Sequence, residues 1–185
     1  MGPAGCADAG DGLTARDNGW TVRGLTRFTQ HMIEIVEEDP TAPEVVALIE
    51  AHREFSLSIT PAEHAYAMPP EAVASGGLTM VGAREDGALL GVGALREFDA
   101  STGEVKSMHT AAAARGRGVA RLVLDDLLQR CRTRGYTRAL LETGSMEEMA
   151  PARALYESVG FVRRSPYGQY TDNGINLCYE LMLDR

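Results

Sequence analysis

The stretch Arg115-Gly116-Arg117-Gly118-Val119-Ala120 puts two glycines and two arginines at the expected entrance of a long helix. Glycines there let the backbone come close to a ligand, and the first-turn amides of a helix point outward without partners. The helix dipole and the charges of Arg115 and Arg117 both favour an anion at that end. A pyrophosphate meets these demands. Neither nucleotide motif applies, since the second glycine is not followed by Lys-Ser/Thr and a third glycine is missing. The plainer use of the same residues is a glycine-rich helix entry with solvated arginines.

Acid–base candidates are fewer. In the segment Glu104 to Thr110, period-2 alternation sets Glu104, Lys106, Met108 and Thr110 on one face. Glu104 can then project into a cleft as a general base, or pair with Lys106 in a surface ladder. Glu142, near the end of the next apolar run, is the second carboxylate. Tyr156 shares a helix face with Ala152, Leu155 and Val159, which turns its ring inward. A phenol with a pKa near 10 can protonate a developing anion, or it can sit in the core bonded to a carbonyl. His52, His64 and His109 lack a spaced partner, and Gly144-Ser145-Met146 lacks the nucleophile elbow of a serine hydrolase.

The elements that must position these residues can be read from periodicity. Residues 1–31 are rich in Gly, Ala, Asp and Thr without a sustained period and read as a flexible N-terminal extension. Patterned sequence begins at Met32, a candidate start of the native chain, and 32–185 read as one domain. Ile33 to Val36 predict a strand. Thr41 to Glu44 and Thr60 to Glu63 read as capping boxes opening two helices. An antiparallel meander follows over Leu78 to Arg84, Ala88 to Arg96 and Glu104 to Thr110, with Asp86-Gly87 as its first turn. The spacing predicts a long helix from Arg117 to Arg134, a buried strand from Ala139 to Glu142, and a helix from Pro151 to Gly160. Phe161 and Ile175 to Leu183 supply the last strands. The fold class is α/β with a mixed sheet.

Composition narrows the function. A net charge of −8 opposes a nucleic-acid surface, which needs a broad basic footprint. Cys6, Cys131 and Cys178 are odd in number and far apart, which suggests neither disulfides nor a metal site. No apolar run reaches the ~20 residues of a membrane span, and a signal core is not evident, so the default location is cytoplasmic.

Arg115-x-x-Gly118-x-Ala120 resembles the Arg/Gln-x-x-Gly-x-Gly/Ala signature of the GNAT superfamily of N-acetyltransferases. Ala154-Leu155-Tyr156-Glu157-Ser158-Val159-Gly160-Phe161 is similar to that family's C-terminal Ala-x-x-Tyr-x-x-x-Gly-Phe segment. Glu104 to Met108, Glu142 to Met146 and Pro166 to Tyr170 resemble a group of small bacterial acetyltransferases of unsettled substrate. The resemblance spans about residues 32–185.

It implies a GNAT-like, mostly antiparallel sheet flanked by about four helices, whose fourth and fifth strands splay apart. Acetyl-CoA would be the co-substrate, without a metal. Its pantetheine arm would bond to Met108, His109 and Thr110, and its pyrophosphate would lie on the amides of Arg115, Gly116, Arg117, Gly118, Val119 and Ala120. Tyr156 would then be the general acid for the departing thiolate, Glu104 the base, and Glu142 the fallback. The acceptor would be a primary amine of a small molecule or peptide, attacking directly in a ternary complex, and a homodimer is expected by resemblance. Lys106 and Arg153 carry charge near the presumed cleft and could hold a substrate carboxylate. A regulatory module that binds acyl-CoA without turnover, or a scaffold partner, is the rival reading.

Overall fold

The computed structural model describes residues 32–184, so the extension expected over 1–31 lies outside the described residues. Seven strands form one sheet in the order β1-β2-β3-β4-β5-β7-β6. They are β1 (Glu34–Glu37), β2 (Thr79–Glu85), β3 (Ala88–Asp99), β4 (Thr102–Thr110), β5 (Arg138–Gly144), β6 (Val162–Arg164) and β7 (Asn176–Met182). Four helices accompany them: α1 (Pro43–Ile59), α2 (Pro70–Ser75), α3 (Val119–Thr133) and α4 (Ala150–Val159). All neighbouring strands are antiparallel except β4 and β5, which pair in parallel because α3 carries the chain back across the sheet between them.

The β2–β3 hairpin follows its turn chemistry, with Asp86 and Gly87 both at positive φ, 49° and 82°. One sheet face is covered by α3 and α4. Val123, Leu124, Leu127 and Leu128 of α3 pack there with Leu95, Val105, Leu141 and Tyr156. The other face carries α1 and α2, where Val45, Ile49 and Val73 meet Met80, Val92 and Ala94. The loop after β6 closes that face over Leu140 and Cys178 with Tyr167 and Tyr170.

Both capping boxes are overturned. Thr41 bonds back to Asp39 through its amide at 2.8 Å and its hydroxyl at 2.6 Å, and α1 starts at Pro43 with Ala42 as its uncapped first flank. Asp39 competes for the threonine that would have capped the helix. Thr60 is the C-cap of α1 rather than the start of a second helix, because α1 runs on to Ile59 and Pro61 follows with extended ψ.

The alternation along β4 breaks at Ser107, whose φ is 52°. Ala94 opposes Lys106 but Val92 opposes His109, so β4 carries one extra residue there. Glu104 and Lys106 face α1, the bulge turns Met108 to the α3 face, and His109 returns to the α1 face against His52, with ring centroids 5.3 Å apart. The expectation that Glu104, Lys106, Met108 and Thr110 share one face is therefore corrected. A Cβ on Gly93 would stand 2.6 Å from both Met108 Sδ and Val123 Cγ1, so only glycine lets the bulged strand and α3 close here.

The β4–β5 pairing ends where this bulge begins. It runs from Thr102 opposite Arg138 to Val105 opposite Leu141, whereas β5 stays paired with β7 as far as Gly144 opposite Asn176. The two central strands diverge beyond Val105 and Leu141. That gap is the splay, and the site lies in it.

Candidate active site

Two cavities meet in the splay. The outer one, about 500 Å³, is lined by Met108, His109, Thr110, Arg115, Gly116, Gly118, Val119 and Ala120, with Phe55, Arg121 and α4 opposite. This volume suits a cofactor-sized ligand. Gly116 and Gly118 adopt φ of 75° and 79°, and a Cβ on either would meet nothing within 4 Å, so the backbone at the head of α3 stands open. Gly118 is the N-cap of α3 and offers no side chain to the first-turn amides. An anion placed there would satisfy those amides. Arg115 lies against the Phe55 ring, 6.0 Å from its centroid. Arg117 departs from expectation: its guanidinium bonds Glu85 at 2.6 Å and does not line the cavity, which leaves only its main chain for a ligand. Arg121, one turn into α3, lines the cavity in its place. Its sequence carries no signal for this, since it sits outside the glycine motif and pairs with Asp125 as an ordinary i,i+4 bridge would.

The inner cavity, about 100 Å³, opens between β4 and β5 and is lined by Lys106, Ser107 and Met108 on one side and by Glu142, Thr143 and Gly144 on the other. His52, Met108, Met149, Ala152 and Tyr156 belong to both cavities. Tyr156 is buried on α4 with its ring edge-on to Phe161, and its hydroxyl has no hydrogen-bond partner among the described residues. Desolvation, then the charge of Glu142, pushes the phenol well above its ordinary pKa. It therefore stays protonated, as an acid must.

Glu142 reaches the inner cavity from β5. Asn176 Nδ2 donates to its Oε1 at 2.6 Å and to the His64 carbonyl at 3.0 Å. Asn173 holds the other end of that amide, with its Nδ2 2.7 Å from Asn176 Oδ1. Burial raises the Glu142 pKa, while the Asn176 bond and the Lys106 charge oppose the rise. A carboxylate shifted upward, whose Oε2 accepts no hydrogen bond among the described residues, is equipped to take a proton.

Glu104 occupies a different environment from the one expected. It is fully buried and does not line either cavity. Tyr167 and Tyr170 donate to its Oε1 at 3.1 and 2.8 Å, Lys106 approaches the same oxygen at 3.4 Å, and Arg96 pairs with Oε2. Three donors and the Arg96 charge enclose the carboxylate instead of leaving it to project into the cleft. Arg153 likewise donates to the carbonyls of Gly144 and Met146, at 2.9 and 2.7 Å, and joins β5 to α4 rather than lining a cavity.

His52 lines both cavities and His109 the outer one. Both are held near pKa 4, His52 by burial and then by His109, His109 by burial and then by Arg115. They are neutral at pH 7. Among the described residues no group of three or more His, Cys, Asp or Glu side chains could hold a metal ion, and no helix is long and apolar enough to cross a membrane.

A splayed sheet with an anion-receptive helix entrance, a protonated tyrosine and a basic carboxylate defines an acyl-CoA-dependent transferase. The comparisons agree. The acetyltransferase (GNAT) family profile matches residues 33–161. The uncharacterized N-acetyltransferase YsnE of Bacillus subtilis is 39% identical over 136 residues, covering 74% of this chain and 90% of YsnE. The IAA acetyltransferase of Azospirillum brasilense is 32% identical over 149 residues, covering 80% and 96%. Among solved structures, a GNAT family acetyltransferase from Elizabethkingia anophelis with acetyl-CoA bound superposes with a TM-score of 0.59 at 18% identity, covering 82% of this chain and 98% of that one. That likeness shows the fold. The chain belongs to the acetyltransferase (GNAT) family. It is an acetyl-CoA-dependent N-acetyltransferase that acts on an amine acceptor.

Proposed function

We propose that the enzyme moves the acetyl group directly from acetyl-CoA to the primary amine of a small molecule, with both substrates bound at once. The single observation that carries this is Tyr156, which lines both cavities while Glu142 lines only the inner one. An acid between two chambers and a base in one of them is the arrangement that a direct transfer needs.

In this reading the amides of residues 115–120 and the side chains of Arg115 and Arg121 hold the pyrophosphate. Acetyl-CoA would supply an activated acyl carbon in the splay, and the main chain at the Ser107 bulge, where the β3–β4 register shifts, is the candidate source of oxyanion donors. A lysine-like amine has a pKa near 10.4, so only about one molecule in a thousand is neutral at pH 7 and a base is needed. Glu142, in place of the expected Glu104, accepts that proton directly or through one water. The nitrogen forms its bond to the acyl carbon, the carbon–sulfur bond breaks, and Tyr156 gives its proton to the thiolate. The second nitrogen proton, lost as the amide forms, returns through water to the Tyr156 phenolate, and Glu142 gives its proton to solvent, so the products are an amide, the free thiol and one proton.

Calorimetric titration with acetyl-CoA, followed by thiol release over a panel of amines, tests the reading. The similarity to a relative named for IAA adds IAA to that panel. Binding plus release with one acceptor class is expected, and binding without release from any amine would favour a regulatory module.

A further inference from the structure

The inner cavity mixes polar and apolar walls, and its polar groups are unevenly satisfied. Ser56, Thr60 and Thr143 line it as buried residues, and their hydroxyls make no side-chain hydrogen bond among the described residues. Lys106 lines it too, with its side chain 7% exposed. Its ammonium donates to Tyr170 Oη at 2.8 Å and approaches Glu104 Oε1 at 3.4 Å. An ammonium carries three donors, so one N–H remains without an acceptor among the described residues.

Arg96 and Lys106 both face Glu104, while Glu142, whose charged form Lys106 favours, is the second carboxylate beside the cavity. Tyr167 and Tyr170 hold Glu104 still, and through it they hold the Lys106 head group. A buried ammonium with a free donor, beside hydroxyls that bond to no other side chain, is suited to an anionic group, which it would meet by a charge-assisted hydrogen bond.

Resting on Glu142 as the proton acceptor, we propose that the acceptor substrate is a small primary amine bearing a carboxylate, whose anionic end is held by Lys106 and the buried hydroxyls while its amine meets Glu142. The cavity of about 100 Å³ has room for a few heavy atoms and none for a folded polypeptide side. Arg153, the other cation considered for this role, is bonded to main-chain carbonyls and takes no part.

The test compares kcat/KM by thiol release for two matched series. Glycine, alanine, β-alanine and aminomethylphosphonate form one, and the corresponding alkylamines and amino amides the other. The carboxylates should exceed their uncharged counterparts by at least about tenfold, as expected for one charge-assisted hydrogen bond. Lys106→Met should erase that preference by raising KM for the carboxylates alone, and Lys106→Arg should keep part of it, which guards against a misfolded methionine variant. Equal rates for the two series, survival of the preference in Lys106→Met, or a phosphonate favoured over every carboxylate would overturn the proposal while leaving acetyl transfer intact. Acetyl-CoA binding with no release from either series would instead overturn the transfer reading beneath it.

Discussion

Replacing Glu104 with glutamine separates a framework carboxylate from a catalytic one. The side chain is fully buried, accepts from two tyrosines and a lysine, and forms an ion pair with an arginine. Glutamine keeps one acceptor oxygen for the tyrosines, but it turns an NH₂ toward the Arg96 guanidinium and strips two cations of their counter-charge. Breaking a buried pair costs about 3–5 kcal/mol, and the lower end applies because the Arg96 side chain is 33% exposed and partly hydrated. For a domain with a urea m-value of about 2 kcal/mol/M, the unfolding midpoint should fall by roughly 1.5 M. Against a total of about 5–15 kcal/mol the variant should still fold. The folded enzyme should show a raised KM for its acceptor as Lys106 loses its anchor. The acid limb of its kcat–pH profile should survive and move only to somewhat lower pH, because the Glu104 charge helps to raise the Glu142 pKa. A variant of undiminished stability whose kcat falls about 10²–10⁴-fold and whose acid limb is lost would refute this and make Glu104 the base.

Tyr156→Phe should lower kcat by about 10²-fold or more while calorimetry shows unchanged acetyl-CoA affinity; full activity would remove the tyrosine from the chemistry. Asn176→Ala takes away the hydrogen bond that favours ionised Glu142, so the acid limb of kcat should move to higher pH, and an unmoved limb would show that the amide does not tune the base. His52 and His109, held near pKa 4 in the fold, contribute stability that is fully present above about pH 6.5 and is lost as pH falls from 6.5 toward 4. The loss is up to about 3 kcal/mol for His52 and less for the half-buried His109, and His52→Gln should flatten the urea midpoint across that window.

What could be read from the residues alone was what local chemistry decides. The Asp86-Gly87 turn, the glycines at the head of α3 and the helix of Tyr156 each depend on a few neighbours, and each appears where the pattern placed it. Glu104 and Met108 were misplaced for non-local reasons. The bulge at Ser107 arises from the register between β3 and β4, and serine carries no signal for a positive φ. The donors that close over Glu104 come from Tyr167 and Tyr170, 63 and 66 residues away, on a loop whose course periodicity does not describe. Glu142 depends likewise on Asn176, across the β5–β7 ladder. In this site, sequence distance decided legibility more than residue type did.

The central claim is that Glu142 takes the amine proton, and the kcat–pH profile of the wild type against Glu142→Gln tests it most directly, because kcat reports groups ionising in the substrate complex. The wild type should lose rate in acid with an apparent pKa above the ordinary carboxylate value of about 4.3, in keeping with the burial of the side chain. Glu142→Gln should lack that limb and run about 10²-fold slower or less. A variant that retains both the wild-type rate and the acid limb would contradict the account.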